Sequence, residues 1–514
     1  MTARPIRLLA GFATVGSWTM ASRVFGFLRD MMIAALLGAG PAAEAFFVAF
    51  RLPNMFRRFF AEGAFNIAFV PLFARRLEAE GEAEAKRFAE EALAILLTAL
   101  IVLTVAAQAA MPWVVWALAS GLEEETFDLA VTFSRICFPY ILFISLTALL
   151  SGMLNAFGRF AAAAAAPVLL NVILLGAMAI GAWLGWSMGP VLAWSALIAG
   201  VAQLALVAFA AAQAGLTLRL RLPQITPGVR RLIALGIPGV LAGGVMQINL
   251  VVGTQVASYF EGAVVWLWLA DRVYQLPLGV VGVAIGVVLL PELSRRFRRE
   301  DRAGANDAMN RAAEFALVLA LPATIALIAM PELITAALYE RGAFDAVDTQ
   351  ATALALMIYA LGLPAFVLLK IVQPAFFARE DTRTPLRYAV WAMAINLIVA
   401  IAGAPFIGWA AAAVGTTLAA WVNFAMTWRG ALGLGEGIAA DQRLRSRAPK
   451  ILVSAVLMGG VVAATAALTQ SLGPTWRLPG LALAVAAGLG SFGVLGLATG
   501  AFHVKDLRAA MRRS

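Results

Sequence analysis

The feature that most constrains this chain is a recurrence of apolar runs as long as a membrane is thick, set apart by short charged connections. A helix rises 1.5 Å per residue, so about 20 apolar residues cross a hydrocarbon layer roughly 30 Å thick. Fourteen such spans are read, over 8–37, 41–74, 88–116, 129–152, 163–183, 190–213, 232–260, 264–294, 312–330, 349–376, 386–404, 407–428, 451–470 and 478–502. Of the 514 residues 62% are hydrophobic and 13% charged, and a soluble protein of that length has no core able to hide so much apolar surface. The single Cys137 and the single His503 exclude an intrachain disulfide, a Cys/His zinc site and a Cys–His catalytic pair.

The net charge of +10 points to topology rather than to nucleic acid, because the cations sit in the connections. With the N-terminus inside, 29 of the 39 Lys and Arg lie before the first span, in the inner connections or in the tail; eight lie within spans and two, Arg341 and Arg477, outside. That asymmetry places both termini in the cytoplasm. Arg4 and Arg7 precede a long first run that Arg23 and Arg29 interrupt, which reads as a spanning helix and not as a cleaved signal peptide.

An internal repeat orders the spans. The segment opening at Arg7 (RLLAGFATVG) resembles the one opening at Arg231 (RLIALGIPGV), and VPLFARRL around Pro71 resembles LPELSRRF around Pro291. Between these anchors AFRLP at Ala49 meets ADRVYQLP at Ala270, so that Arg51 stands opposite Arg272. Six spans per unit is an even number, and the two halves share one orientation. The expected fold is an all-α polytopic membrane protein of fourteen transmembrane helices. An N-lobe over 1–215 and a C-lobe over 216–430, six helices each, precede two C-terminal helices and a tail over 431–514.

Ionisable residues inside spans are costly and mark polar interiors. Here they are Arg23, Arg29 and Asp30 in span one; Glu44, Arg51, Arg57, Arg58 and Glu62 in span two; Arg135 in span four; Asp271 and Arg272 in span eight; and Lys370 in span ten. Arg23 and Asp30 share a helical face, Ser22 and Arg29 share the neighbouring stripe, and Glu44, Arg51 and Arg58 recur every seven residues with Asn54 alongside. Pro53 should bend span two beside these arginines. One reading makes Arg23–Asp30 and Glu44–Arg51 structural ion pairs. Yet the cations within the spans outnumber the acids, and the surplus calls for an anion. Arginine suits phosphate, since its planar fork gives two parallel hydrogen bonds, and a diphosphate needs more than one such group.

At these residues the chain resembles a known family. SRVFGFLRD (22–30), AFFVAFRLPNMFRRFFAEGAFNIAFVP (45–71), ADR (270–272) and AREDTRTP (378–385) are similar to the MurJ (MviN) family of lipid II flippases, over nearly the whole chain. The resemblance implies an inner-membrane transporter of the MOP-type exporter superfamily, with two six-helix lobes that open alternately to either side. Its implied substrate is undecaprenyl-diphosphate carrying the peptidoglycan disaccharide-pentapeptide. It further implies that Arg23, Arg29, Arg57 and Arg272 bind the diphosphate headgroup, with Ser22, Asp30, Glu44, Arg51, Asn54 and Asp271 as supporting polar groups. Glu44 stands where the family usually has Asp, and spans thirteen and fourteen would form a groove for the lipid tail. Some members bind sodium through acids of the second lobe. Span seven offers only Gln247 and Asn249 and span eleven Asn396, which argues against sodium coupling.

No cofactor and no metal is expected; the driving force would be the membrane potential or an ion gradient. The expected partners are the lipid-linked substrate, membrane lipids and cell-wall synthesis machinery. Three rivals stand beside this reading. A polytopic glycosyltransferase needs acids outside the bilayer, and Glu332, Glu340, Asp345 and Asp348 in the largest outer connection read as a solvated face. A drug or cation exporter needs unpaired acids where this chain has arginines. A flippase for another polyprenyl-diphosphate oligosaccharide, of O-antigen type, needs the same chemistry, and the motifs alone separate it.

Overall fold

The computed structural model describes residues 8–57, 64–299, 301–433 and 439–502. Among them are eighteen α-helices, one short 3-10 turn and no strand. Ten helical segments are long and apolar enough to cross a membrane. The remaining expected spans fall on α1 (Leu8–Leu37), α2 (Pro41–Arg57) with α3 (Ala64–Ala79), α10 (Pro227–Ala257) and α11 (Ala263–Arg298). Of these, α1, α10 and α11 have 30, 31 and 36 residues, ample for a crossing at 1.5 Å per residue.

Prolines divide several of the expected spans. The third becomes α4 (Glu82–Ala109) and α5 (Met111–Ala119), broken ahead of Pro112, which has no N–H to continue the ladder. The fourth becomes α6 (Glu124–Cys137) and α7 (Tyr140–Ala156), broken at Phe138–Pro139. The second runs as α2 and α3, and Arg58 and Glu62 lie outside the described residues, as does His503.

The chain divides into two compact units, Met1–Val265 and Trp266–Ser514. In the first, α8 (Ala161–Leu184) packs on α1 and on α9 (Met188–Gln213), α2 packs on α6, and α10 packs on α3 and α5. Aromatic side chains fill its interior: Phe46 stacks on Phe50, and Phe69 stacks on both Phe73 and Phe88. A polar tie joins three helices, as the Tyr140 hydroxyl donates to Gln203 Oε1 (3.1 Å) and Gln203 Nε2 to the Ala166 carbonyl (2.7 Å). Each buried polar atom of this tie has a partner, which a low-dielectric interior demands.

The first unit is also fastened at both ends of α10. At its start Thr226, the N-cap, donates to Glu91 Oε2 (2.7 Å), while Arg221 Nε donates to Glu90 Oε2 (2.6 Å). At its end the Gln255 carboxamide meets Ser120, and Ser258 Oγ accepts from the Gly121 N–H (3.0 Å). Gly121 is required there: a Cβ would fall 2.4 Å from the Tyr259 ring.

In the second unit α14 (Ala346–Phe377) packs on α12 (Arg302–Ala329) and α16 (Ala410–Gly433), and α16 on α15 (Arg383–Ile407). The hairpin of α17 (Gln442–Gln470) and α18 (Arg477–Ala498) lies along α12 and the short α13 (Pro331–Tyr339). Gly459 admits Ile325 of α12, whose side chain would meet a Cβ at 2.4 Å. At one end Glu314 of α12 pairs with Arg311, Arg443 and Arg447, and Asp441 both caps α17 and pairs with Arg311. At the other end Arg477 pairs with Glu340 (2.6 Å), whose second oxygen accepts from Thr349.

This corrects the expectation of a solvated acidic face after span nine. Glu340 holds Arg477, Asp345 caps α14 through the Val347 and Asp348 N–H groups, and Asp348 accepts from the Trp266 indole (2.8 Å). Acids spaced through a connection look alike in sequence whether they meet water or neighbouring helix ends.

Candidate functional site

In the first unit Arg29 of α1 meets α8, while Glu44 of α2 meets the start of α11. Arg29 and Asp30 are 4% and 0% exposed. Arg29 donates from Nε (3.0 Å) and Nη2 (2.7 Å) to Asp30 Oδ1, and from Nη1 to Oδ1 of Asn171 on α8 (2.9 Å). Its guanidinium stands 5.7 Å from the centroid of the Phe50 ring of α2. A guanidinium has five N–H bonds and three are engaged, so two remain.

Ser22 is half-buried and its carbonyl accepts from Asn171 Nδ2 (3.1 Å). Arg23 is exposed and has no hydrogen bond or ion pair among the described residues. The Arg23–Asp30 pair anticipated from their shared face is therefore not formed. Seven residues span about 10 Å of helix, too far for a direct pair, whereas Arg29 folds back onto its neighbour.

Glu44, 3% exposed in the first turn of α2, accepts from the Val264 N–H (3.3 Å) at the start of α11. It forms no ion pair with Arg51 among the described residues, again because two helical turns separate them. An acid at a helix N-terminus meets unpaired N–H groups and the positive end of the dipole, which offsets part of the cost of burial. Arg51 is half-buried in α2. Asn54, also half-buried, donates to the Phe50 carbonyl (2.9 Å) one turn back, beside Pro53. Arg57 closes α2, and its side chain lies outside the described residues.

In the second unit α11 carries Asp271 and Arg272, both half-buried. Asp271 accepts from the Gln275 carboxamide one turn on, and the Arg272 guanidinium lies 5.9 Å from the Trp268 ring centroid. Lys370 and Arg135 are exposed on α14 and α6.

A guanidinium's planar fork is chemically suited to an anion. Asp30 pairs with Arg29, Arg23 has no acid partner among the described residues, and in the second unit the Arg272 guanidinium faces the Trp268 ring, a contact that guanidinium groups favour. The residue that sequence reasoning missed is Asn171. An uncharged Asn in an Ala- and Leu-rich helix carries no charge signal, and only its isolation among apolar neighbours could have marked it. Among the described residues no group of acids, His and Cys could hold a metal ion.

This all-helical fold is the one seen in solved transporters of the MOP superfamily. A multidrug-resistance MATE family transporter of that superfamily, seen inward-facing, aligns with a TM-score of 0.67 at 15% identity, covering 80% of this chain and 94% of its own. A solved lipid II flippase MurJ in an inward closed conformation aligns with a TM-score of 0.78 at 23% identity, covering 94% and 98%. The chain belongs to the MurJ family: the family model "Lipid II flippase MurJ" matches residues 33–482. A probable lipid II flippase MurJ of Rhizobium tropici is 46% identical over 461 residues, 88% of this chain and 86% of the relative. The lipid II flippase MurJ of Burkholderia cenocepacia is 37% identical, covering 83% and 84%.

Proposed function

We propose that this chain moves lipid II, the undecaprenyl-diphosphate-linked peptidoglycan precursor, from the inner to the outer leaflet of the cytoplasmic membrane by alternating access. The observation that carries the site is the asymmetry within α1. Arg29 is neutralised by Asp30, while Arg23, six residues away, has no acid among the described residues. An exposed guanidinium without a protein counter-ion in an apolar helix is suited to a ligand that brings its own negative charge.

Arg23, Arg57 and Arg272 would contact the diphosphate directly, and Arg29 would add its two remaining N–H bonds. Ser22, Asp30, Glu44, Arg51, Asn54 and Asp271 would shape and neutralise the surroundings. In this reading the protein makes and breaks no covalent bond, and the membrane potential or an ion gradient supplies the work. The termini are cytoplasmic, and cell-wall synthesis enzymes on the outer face take up the product.

The decisive experiment depletes the protein in cells and asks which lipid-linked precursor becomes trapped on the inner leaflet. Accumulation of lipid II there, with other polyprenyl-diphosphate sugars still crossing, supports the proposal. Trapping of an O-antigen-type precursor instead would transfer the function to that substrate.

A further inference from the structure

Arg29 and the turn that carries Arg23 are both tied to one side chain of a neighbouring helix. Asn171 of α8, 5% exposed, accepts from Arg29 Nη1 through Oδ1 (2.9 Å). Through Nδ2 it donates to the Ser22 carbonyl (3.1 Å) and to the Pro167 carbonyl of its own helix (3.2 Å). Gly26 faces the amide between its two partners, and a Cβ there would lie at ordinary contact distance, 3.4 Å from Asn171 Nδ2.

Only a carboxamide can make this bridge. The guanidinium can only donate and a backbone carbonyl can only accept, so the side chain between them must do both. Asp would face the Ser22 carbonyl with a second acceptor and add a charge beside Asp30. Ser or Ala would not reach both partners. An amide with three bonds made also meets the requirement that a buried polar group in an apolar bundle be satisfied.

We infer that Asn171 is a positioning residue for substrate recognition: it fixes the Arg29 guanidinium and pins the Ser22–Arg23 turn, so that the two arginines of α1 meet the diphosphate at a set separation. The inference rests on the reading of α1 as a diphosphate-binding helix. Preorganisation of this kind raises affinity by lowering the ordering cost of binding, without a contact of its own to the ligand.

The test measures lipid II binding to the purified full-length chain in phosphatidylcholine nanodiscs, with the melting temperature followed in parallel. Asn171→Leu keeps the volume and removes every hydrogen bond. It should melt near the wild type yet bind lipid II about tenfold more weakly, the order expected for losing a hydrogen bond to a charged group. A cycle with Arg29→Ala separates positioning from packing. Adding Asn171→Ala to Arg29→Ala should weaken binding by less than the same change does in the wild type, because only the hold on the Ser22–Arg23 turn is left to lose.

Wild-type affinity in Asn171→Leu, or fully additive losses in the cycle, would overturn the inference. If Asn171→Leu does not accumulate, the cycle with Asn171→Ala decides alone. Arg23→Ala is the control for the underlying reading. If it binds lipid II as tightly as the wild type, the diphosphate assignment of α1 fails; if it loses binding while Asn171→Leu keeps it, only the positioning role fails.

Discussion

A guanidinium in an apolar helix costs several kcal/mol unless something answers its charge, and the two arginines of α1 meet that cost differently. Arg29 has Asp30 and Asn171, whereas Arg23 has no partner among the described residues. Arg23→Ala should therefore leave the amount of protein in the membrane unchanged while abolishing flipping. Arg23→Lys should rescue poorly, because a point charge cannot reproduce the fork. Asp30→Ala should act the other way and lower accumulation, since it strands a buried cation at a cost of about 3–5 kcal/mol. The double change Arg29→Ala/Asp30→Ala should recover accumulation without flipping. Quantitative membrane blots beside a flipping assay separate these outcomes, and normal flipping by Arg23→Ala would remove that residue from the site.

Glu380, in the connection between α14 and α15, holds a φ of 62°, a left-handed conformation that a β-carbon disfavours. It persists because its neighbour ties the connection down. Asp381 accepts from the Thr384 N–H (3.0 Å) and the Arg383 N–H (3.1 Å), bonds that hold its carboxyl below the usual carboxylate range. Glu380→Gly should relieve strain worth about 1 kcal/mol, less the extra freedom glycine gains in the unfolded chain. The net is a small rise in melting temperature with transport intact. A fall would show that the Glu380 side chain makes a contact that outweighs its backbone strain.

Among the helices, the α17–α18 hairpin is held most heavily by charge. Glu314→Ala would leave Arg311, Arg443 and Arg447 without that carboxylate at a half-buried junction, and should cost about 3 kcal/mol, read as a lower melting temperature and faster cleavage in the connection before α17. Arg477→Ala removes one more open pair at the other end and should cost about 1 kcal/mol or less. Equal effects of the two would show that burial does not set their weight.

How much of this was legible varies by element. Long apolar runs announced most spanning helices, because hydrophobic length is a property of composition along the chain. The divisions at Pro112 and Pro139 were legible as prolines, yet the runs were read through them, since apolar character continues on both sides. The short α13 was hidden in what read as a polar connection, because its largely buried run from Leu333 to Tyr339 is bracketed by Glu332 and Glu340. Within the site, the arginines stood out as charges where none is cheap. Their partners did not: helical periodicity offered Asp30 to Arg23, whereas in the fold the neighbouring Arg29 bends onto it and an uncharged Asn171 arrives from another helix.

For the whole molecule, the uneven distribution of Lys and Arg predicts an orientation with both termini inside. Cysteines replacing Glu124 and Val347, both exposed, should react with an impermeant maleimide from outside, and one replacing Ala303 should not. The native Cys137 is buried and should stay silent. Reversed labelling would invert the orientation. The absence of acids from spans seven and eleven bears on the driving force. Transport should persist when sodium is replaced by potassium at constant membrane potential, and strict dependence on sodium would mean a site built from neutral oxygen ligands.

The junction around Glu314 also has an order in time. Arg443 and Arg447 follow that carboxylate by 129 and 133 residues. At about 5–20 residues per second, translation delays by on the order of ten seconds the two arginines of α17 that join Arg311 on this acid. Through that interval Arg311, one turn away on the same helix, is the carboxylate's partner, and the junction with α17 is still to be made. The α17–α18 hairpin thus completes the junction, and a chain stalled or cut before residue 443 should be recognised as unfinished by membrane proteases rather than persist as a shorter transporter.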